Sequence, residues 1–286
     1  MRYAVIDIGS NSVRLLLWAD GSFYKKTNTT RLGEGIALSP RLLPAAIERS
    51  AQAVAEFCRE AAGADGIFAF ATAAVRRAEN GAEFVARVKE LCGIDVDIIS
   101  GEREAELGLF GALEGRDGGI IDVGGASTEV TVGVGGKVVY AVSADIGAVR
   151  LRDLCGEDRA ALEARIADAL RVYGEIPRAP MTAVGGTATS LAALEYGVEP
   201  YDPACIHGKT LTRAEVLKWA DKLLSMPQEE RLLLKGMDKR RADILGGAAL
   251  LLARVMERAG AESIRISERD NLEGYLDEKL ANGGVL

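Results

Sequence analysis

Two segments of this chain read alike: DIGSNSV at 7–13 and DVGGAST at 122–128, with their aspartates, Asp7 and Asp122, 115 residues apart. Each follows an apolar run (YAVIDI at 3–8, GIIDV at 119–123) and precedes another (VRLLLW at 13–18, TEVTVGV at 128–134), so each predicts a strand, a glycine turn and a returning strand. One Asp-Gly turn is a common hairpin device and says little. Two copies at domain spacing predict two related halves. The chemistry that suits such a turn is phosphate binding. Glycine lets backbone N–H groups approach an anion with no Cβ in the way. Ser10, Ser12, Ser127 and Thr128 add hydroxyl donors, and Asp7 and Asp122 at the strand ends suit a hydrated Mg²⁺.

Around these turns the pattern alternates strand and helix. Ile47, Ala51, Val54 and Cys58 share one face of a helix over 44–62, stopped by Gly63. A strand at 67–71, a helix at 81–92 stopped by Gly93, a strand at 95–99 and a helix from about residue 102 complete the first half. Glycine and charge concentrate at 114–119 (EGRDGG), which sets the domains at 1–117 and 118–286, with the last helix able to return to the first domain. The second half is helix-rich, at 157–173, 186–196, 213–225 and 241–259, with a strand at 263–267 and a helix to about 281. A third element, MTAVGGTATSLAAL at 181–194, runs a strand into Gly185, Gly186 and Thr187. Thr187 is the expected N-cap of a helix whose electropositive start suits a phosphate.

Composition narrows the chemistry. The chain has 286 residues, enough for two cores, and 48% hydrophobic against 27% charged residues is ordinary globular usage. No apolar run approaches the ~18 residues of a membrane span, and the N-terminus shows no signal-peptide pattern. A net charge of −7 argues against nucleic-acid binding. The four cysteines are dispersed and are expected to be reduced thiols of a cytoplasmic protein, and one histidine leaves no room for His-based triads, so acid–base work falls to carboxylates. Basic residues cluster at Arg76-Arg77 and at Lys235 with Lys239-Arg240-Arg241, each read by itself as a solvated face. The apolar face of 241–259 is expected to be core, a homodimer contact remaining open.

The ordered set DIGSNSVRLLL, RLGEGI, ATAAVRRAENG, IISGEREAELG, IDVGGASTE, AVGGTATSLAAL and ISERDNLEGYL resembles the exopolyphosphatase/guanosine pentaphosphate phosphohydrolase (Ppx/GppA) family over most of residues 3–276. The resemblance implies an α/β fold of two actin-like (ribonuclease H-like) domains, mixed sheets flanked by helices, with the active site in the interdomain cleft. It implies Mg²⁺ (or Mn²⁺) as cofactor and polyphosphate or guanosine pentaphosphate as substrate. It assigns Glu104 as the base for the attacking water, where spacing alone leaves Glu102, Glu104 and Glu106 open. Asp7, Asp122 and Glu129 become metal-site residues, Glu129 also positioning water. Gly9, Ser10, Asn11, Ser12, Arg76, Gly124, Gly125, Ser127, Thr128, Gly185, Gly186 and Thr187 become phosphate contacts, while Arg31 reads as structural.

The sequence departs from the family pattern in three places. Arg103 and Glu106 exchange a common Glu and Arg, a swap able to keep a local ion pair. Ala126 replaces a turn glycine, and Asp270-Asn271-Leu272 replaces a Gly-Leu-Arg. An actin-like kinase, or a guanosine penta/tetraphosphate sensor without turnover, is the competing reading.

Overall fold

The structure, a computed structural model, describes residues 1–10, 12–34, 40–125 and 127–281. The chain divides into two compact units, Met1–Gly111 with Asn271–Leu286, and Ala112–Asp270. The division thus falls inside a helix ahead of the glycine-rich 114–119 segment.

The first unit opens with β1 (Arg2–Ile8), β2 (Ser12–Ala19) and β3 (Ser22–Thr29), an antiparallel meander. Then come α1 (Pro44–Glu60), β4 (Gly66–Ala71), α2 (Ala73–Arg77), α3 (Gly81–Cys92), β5 (Asp97–Ile98) and α4 (Gly101–Leu113). The sheet order is β3-β2-β1-β4-β5, with β4 and β5 parallel to β1. Proline at its start and an apolar stripe (Ile47, Ala51, Val54, Phe57) make α1 a surface helix with one buried face. Gly93, at φ 76°, ends α3 in the left-handed conformation that glycine tolerates best. These two helices cover one face of the sheet, around Ile6, Ile8, Leu15 and Phe84.

The second unit repeats the plan. It runs β6 (Gly118–Val123), β7 (Thr128–Val134), β8 (Lys137–Ala144), α5 (Ala148–Cys155), α6 (Arg159–Ala169), a 3-10 turn at Leu170–Tyr173, and β9 (Met181–Val184). α7 (Gly185–Tyr196), α8 (Pro203–Ile206), β10 (Thr210–Thr212), α9 (Arg213–Ser225), α10 (Gln228–Arg231), α11 (Leu245–Ala259) and β11 (Ser263–Ile266) follow. The sheet order β10-β11-β9-β6-β7-β8, read backwards from β8, is the order of the first unit with β10 added at the end. The expected duplication is therefore present as topology: a mixed five-strand sheet and a mixed six-strand sheet, each with helices. α11 is apolar almost all round, with Leu250, Leu251, Leu252 and Val255 all buried, because it packs inside the core of this unit. Its start at Leu245 is later than the sequence pattern suggests, since residues 236–244 are used in turns.

The last helix, α12 (Asn271–Ala281), belongs to the first unit. Leu272, Tyr275 and Leu276 join Tyr3, Val5, Leu16, Phe70, Ile99 and Leu107 in a separate core on the other face of that sheet. The Tyr275 ring stacks on Phe70 at 4.6 Å and its hydroxyl donates to Asp97 at 3.0 Å. No helix among the described residues is long and apolar enough to cross a membrane.

Candidate active site

Within the first unit, Asp7 stands one residue before the end of β1, buried and directly opposite Arg14 on β2. Arg14 Nε donates to Asp7 Oδ2 at 3.0 Å, and a second guanidinium nitrogen donates to the same oxygen. The anion of the first turn therefore carries its own cation, which sequence reading missed. The turn closes by Gly9 N–H donating to the Ser12 carbonyl at 3.0 Å. Gly33 N–H donates to the Ser10 carbonyl at 2.8 Å, and a Cβ at Gly33 would lie 3.1 Å from Ser10 Cβ. The Arg31–Glu34 turn thus supports Ser10. Asn11 and Ala126 lie outside the described residues.

Just before α4 stands Ser100, whose Oγ accepts from the Arg103 N–H at 3.1 Å and whose carbonyl accepts from the Glu104 N–H at 2.9 Å. The three glutamates now separate. Glu102 and Glu106 are exposed, whereas Glu104 is half-buried and paired with Arg76 at 3.2 Å. Arg76 also donates to the Ile99 carbonyl at 2.7 Å, so its position is set by the backbone before α4. Arg76 thus lies against Glu104. Arg103 pairs with Glu278 on α12 and not with Glu106, so the local swap inferred from sequence is not the pair that forms.

The second hairpin keeps the backbone of the first: Gly124 N–H donates to the Ser127 carbonyl at 3.0 Å. The carbonyls of Gly124 and Gly125 accept from Ala148, Val149 and Arg150 N–H at 2.9–3.1 Å, which ties the turn to the start of α5. Opposite Asp122 stands Glu129, in the register place that Arg14 holds in the first unit. The place in register with Asp122 thus holds a carboxylate, where the place in register with Asp7 holds a guanidinium. Ser143 on β8, in register with Glu129, donates to its Oε1 at 2.7 Å. Burial and then the Glu129 charge push the Tyr173 phenol up from its ordinary value, and Tyr173 donates to the Thr128 carbonyl at 2.7 Å.

The Gly185-Gly186-Thr187 element closes on Asp122. Gly185 has φ +78°, and a Cβ there would come 2.5 Å from Asp122 Oδ1. Glycine is required twice over, for its conformation and for the carboxylate beside it. Above Gly186 the space is filled by the Arg241 guanidinium, so this member of the basic cluster is not only a solvated charge. Arg240 beside it is exposed and pairs with Asp238. Thr187 is not the N-cap, which is Val184. Its buried hydroxyl donates to the Val123 carbonyl at 2.9 Å, as Thr128 Oγ1 donates to the Ile146 carbonyl at 2.7 Å. Both hydroxyls stitch backbone together; Ser10, Ser12 and Ser127 stay at least partly accessible.

Asp122 and Glu129 are hard oxygen donors of the kind Mg²⁺ takes. Among the described residues no group of three or more His, Cys, Asp or Glu side chains is placed to hold a metal. Two carboxylates nonetheless fit Mg²⁺, which keeps several waters and uses substrate phosphates as ligands.

The Ppx/GppA phosphatase family model matches residues 21–282. The chain belongs to the Ppx/GppA phosphatase family. It is 32% identical to Exopolyphosphatase 2 of Mycobacterium tuberculosis, over 96% of this chain and 97% of that protein. The crystal structure of the Aquifex aeolicus Ppx/GppA phosphatase, type II variant, matches with TM-score 0.85 and 32% identity, covering 98% of this chain and 99% of that one. A bifunctional 3-dehydroquinate synthase/phosphatase of Fusobacterium nucleatum is 27% identical over 98% of this chain and 46% of its own length.

Proposed function

We propose that this Ppx/GppA family member is a Mg²⁺-dependent phosphohydrolase that releases orthophosphate from the end of polyphosphate or guanosine pentaphosphate. The observation that carries the reading is the opposed pair Asp122–Glu129 beside a glycine turn shaped around Asp122. Asp122 and Glu129 would hold Mg²⁺; when bound, the ion neutralises charge on phosphate oxygens.

The rest falls to the chain's own groups. Phosphoryl transfer needs positioning and charge neutralisation more than covalent chemistry. Glu104, oriented by Arg76, accepts the proton of the attacking water. The glycine turns offer N–H donors, and Arg241 places positive charge at Gly186. Histidine and cysteine are not needed, which matches a chain with one of the former and four dispersed examples of the latter.

The test is orthophosphate release from polyphosphate and from guanosine pentaphosphate, with and without Mg²⁺, for the parent and Glu104→Gln. A general base contributes about 100- to 10,000-fold, so release should fall by that factor in the variant while Mg²⁺ binding persists. The better substrate names the activity. No Mg²⁺-dependent release from either would overturn the proposal.

A further inference from the structure

The row Asp122, Glu129 and Ser143 crosses β6, β7 and β8 in register in the second unit. A glutamate has several rotatable bonds, so its carboxylate keeps one place only where something holds it. In the second unit, Ser143 Oγ donates to Glu129 Oε1 at 2.7 Å. A bond to an ionised acceptor is among the stronger kinds, and this length falls within their range. The serine takes one of the two carboxylate oxygens, leaving the other for a ligand.

We propose that Ser143 is a positioning residue: its hydroxyl fixes the Glu129 carboxylate beside Asp122, so that the two act as one seat for a divalent cation. This deepens the metal-assisted reading above and rests on it. Ser143 is exposed, so removing its hydroxyl takes no volume from the core. The geometry also assigns threonine as a functional replacement, since it keeps the hydroxyl and is well suited to a strand.

The experiment is a Mn²⁺ titration of the full chain, followed by loss of the free-ion electron paramagnetic resonance signal. The proteins are the parent, Ser143→Ala, Ser143→Thr, Glu129→Gln and the Ser143→Ala/Glu129→Gln double variant, each checked for an unchanged melting curve. Groups that orient metal ligands are typically worth about 10- to 100-fold in affinity. For this exposed contact the expected weakening in Ser143→Ala is about tenfold, with Ser143→Thr close to the parent. Because Ser143 acts through Glu129, the double variant should bind no more weakly than Glu129→Gln alone.

Parent-like binding by Ser143→Ala overturns the proposal, as does a double variant that loses a further factor. A parent that binds no Mn²⁺ overturns it together with the metal-assisted reading. A parent that binds Mn²⁺ while Ser143→Ala matches it overturns the role of Ser143 alone.

Discussion

Arg76 and Glu104 lie 28 residues apart, on different helices, and meet at 3.2 Å. The bond from Arg76 to the Ile99 carbonyl makes the arginine a fixed post for the glutamate. Arg76→Met should therefore lower kcat for phosphate release by about 10- to 100-fold, with less effect on KM, because the base loses its orientation more than the substrate loses binding. Steady-state kinetics on both substrates check this. The single histidine permits a second residue-scale test. His207 Nδ1 accepts from the Glu268 N–H at 3.2 Å, and its Nε2 is 3.7 Å from Glu114. Arg265 and Arg269 face it, and burial, then the Arg265 charge, lower its pKa from the ordinary 6.5 despite Glu114. An unfolded chain then binds a proton more readily than the folded one, so stability falls as pH drops below about 6.5. The melting temperature should decline between pH 7.5 and 5.5 in the parent, and decline less in His207→Gln.

At the level of elements, two glycines govern how helices approach their neighbours. Gly274 on α12 lies against the Leu107 carbonyl of α4, and a Cβ there would overlap that carbonyl. Overpacking of this kind costs about 1–3 kcal/mol, so Gly274→Ala should lower the denaturation midpoint of the first unit with its sheet otherwise intact. Gly185 sits at the β9–α7 junction with positive φ and Asp122 beside it. Gly185→Ala should reduce phosphate release sharply by displacing the Asp122 carboxylate, with a smaller effect on stability. Comparing chemical denaturation with activity in the two variants separates the packing glycine from the site glycine.

The whole molecule is built from one continuous and one discontinuous unit, since Asn271–Leu286 joins Met1–Gly111. Removing residues 271–286 would expose Tyr3, Val5, Leu16 and Phe70 and lose Leu272, Tyr275 and Leu276 from their core. Each such side chain is worth roughly 1.5–3 kcal/mol, and together they rival the ~5–15 kcal/mol that holds a typical protein folded. A chain ending at Asp270 should lose the first unit, seen as rapid protease cleavage within residues 1–111, while 112–270 resists digestion.

Sequence alone determined the plan of this protein. The two Asp-Gly turns, 115 residues apart, already announced the duplication, because a strand–glycine–strand pattern is set locally by periodicity and backbone freedom. Helices such as Arg213–Ser225, with Thr212 and Glu215 forming a capping box, were legible for the same reason. β3 and β8 were not recognised, since SFYKKTNT carries little apolar signal and β8 is exposed or half-exposed up to its buried last residue, Ala144. With β8 went Ser143, and with register went the exchange of Arg14 for Glu129 opposite the two aspartates. Only the tertiary structure half-buried Glu104 while leaving Glu102 and Glu106 exposed, brought Arg241 against Gly186, and placed the last helix in the first unit. Those outcomes depend on contacts between residues far apart in the chain, and such contacts arise from packing and pairing that local sequence pattern does not encode.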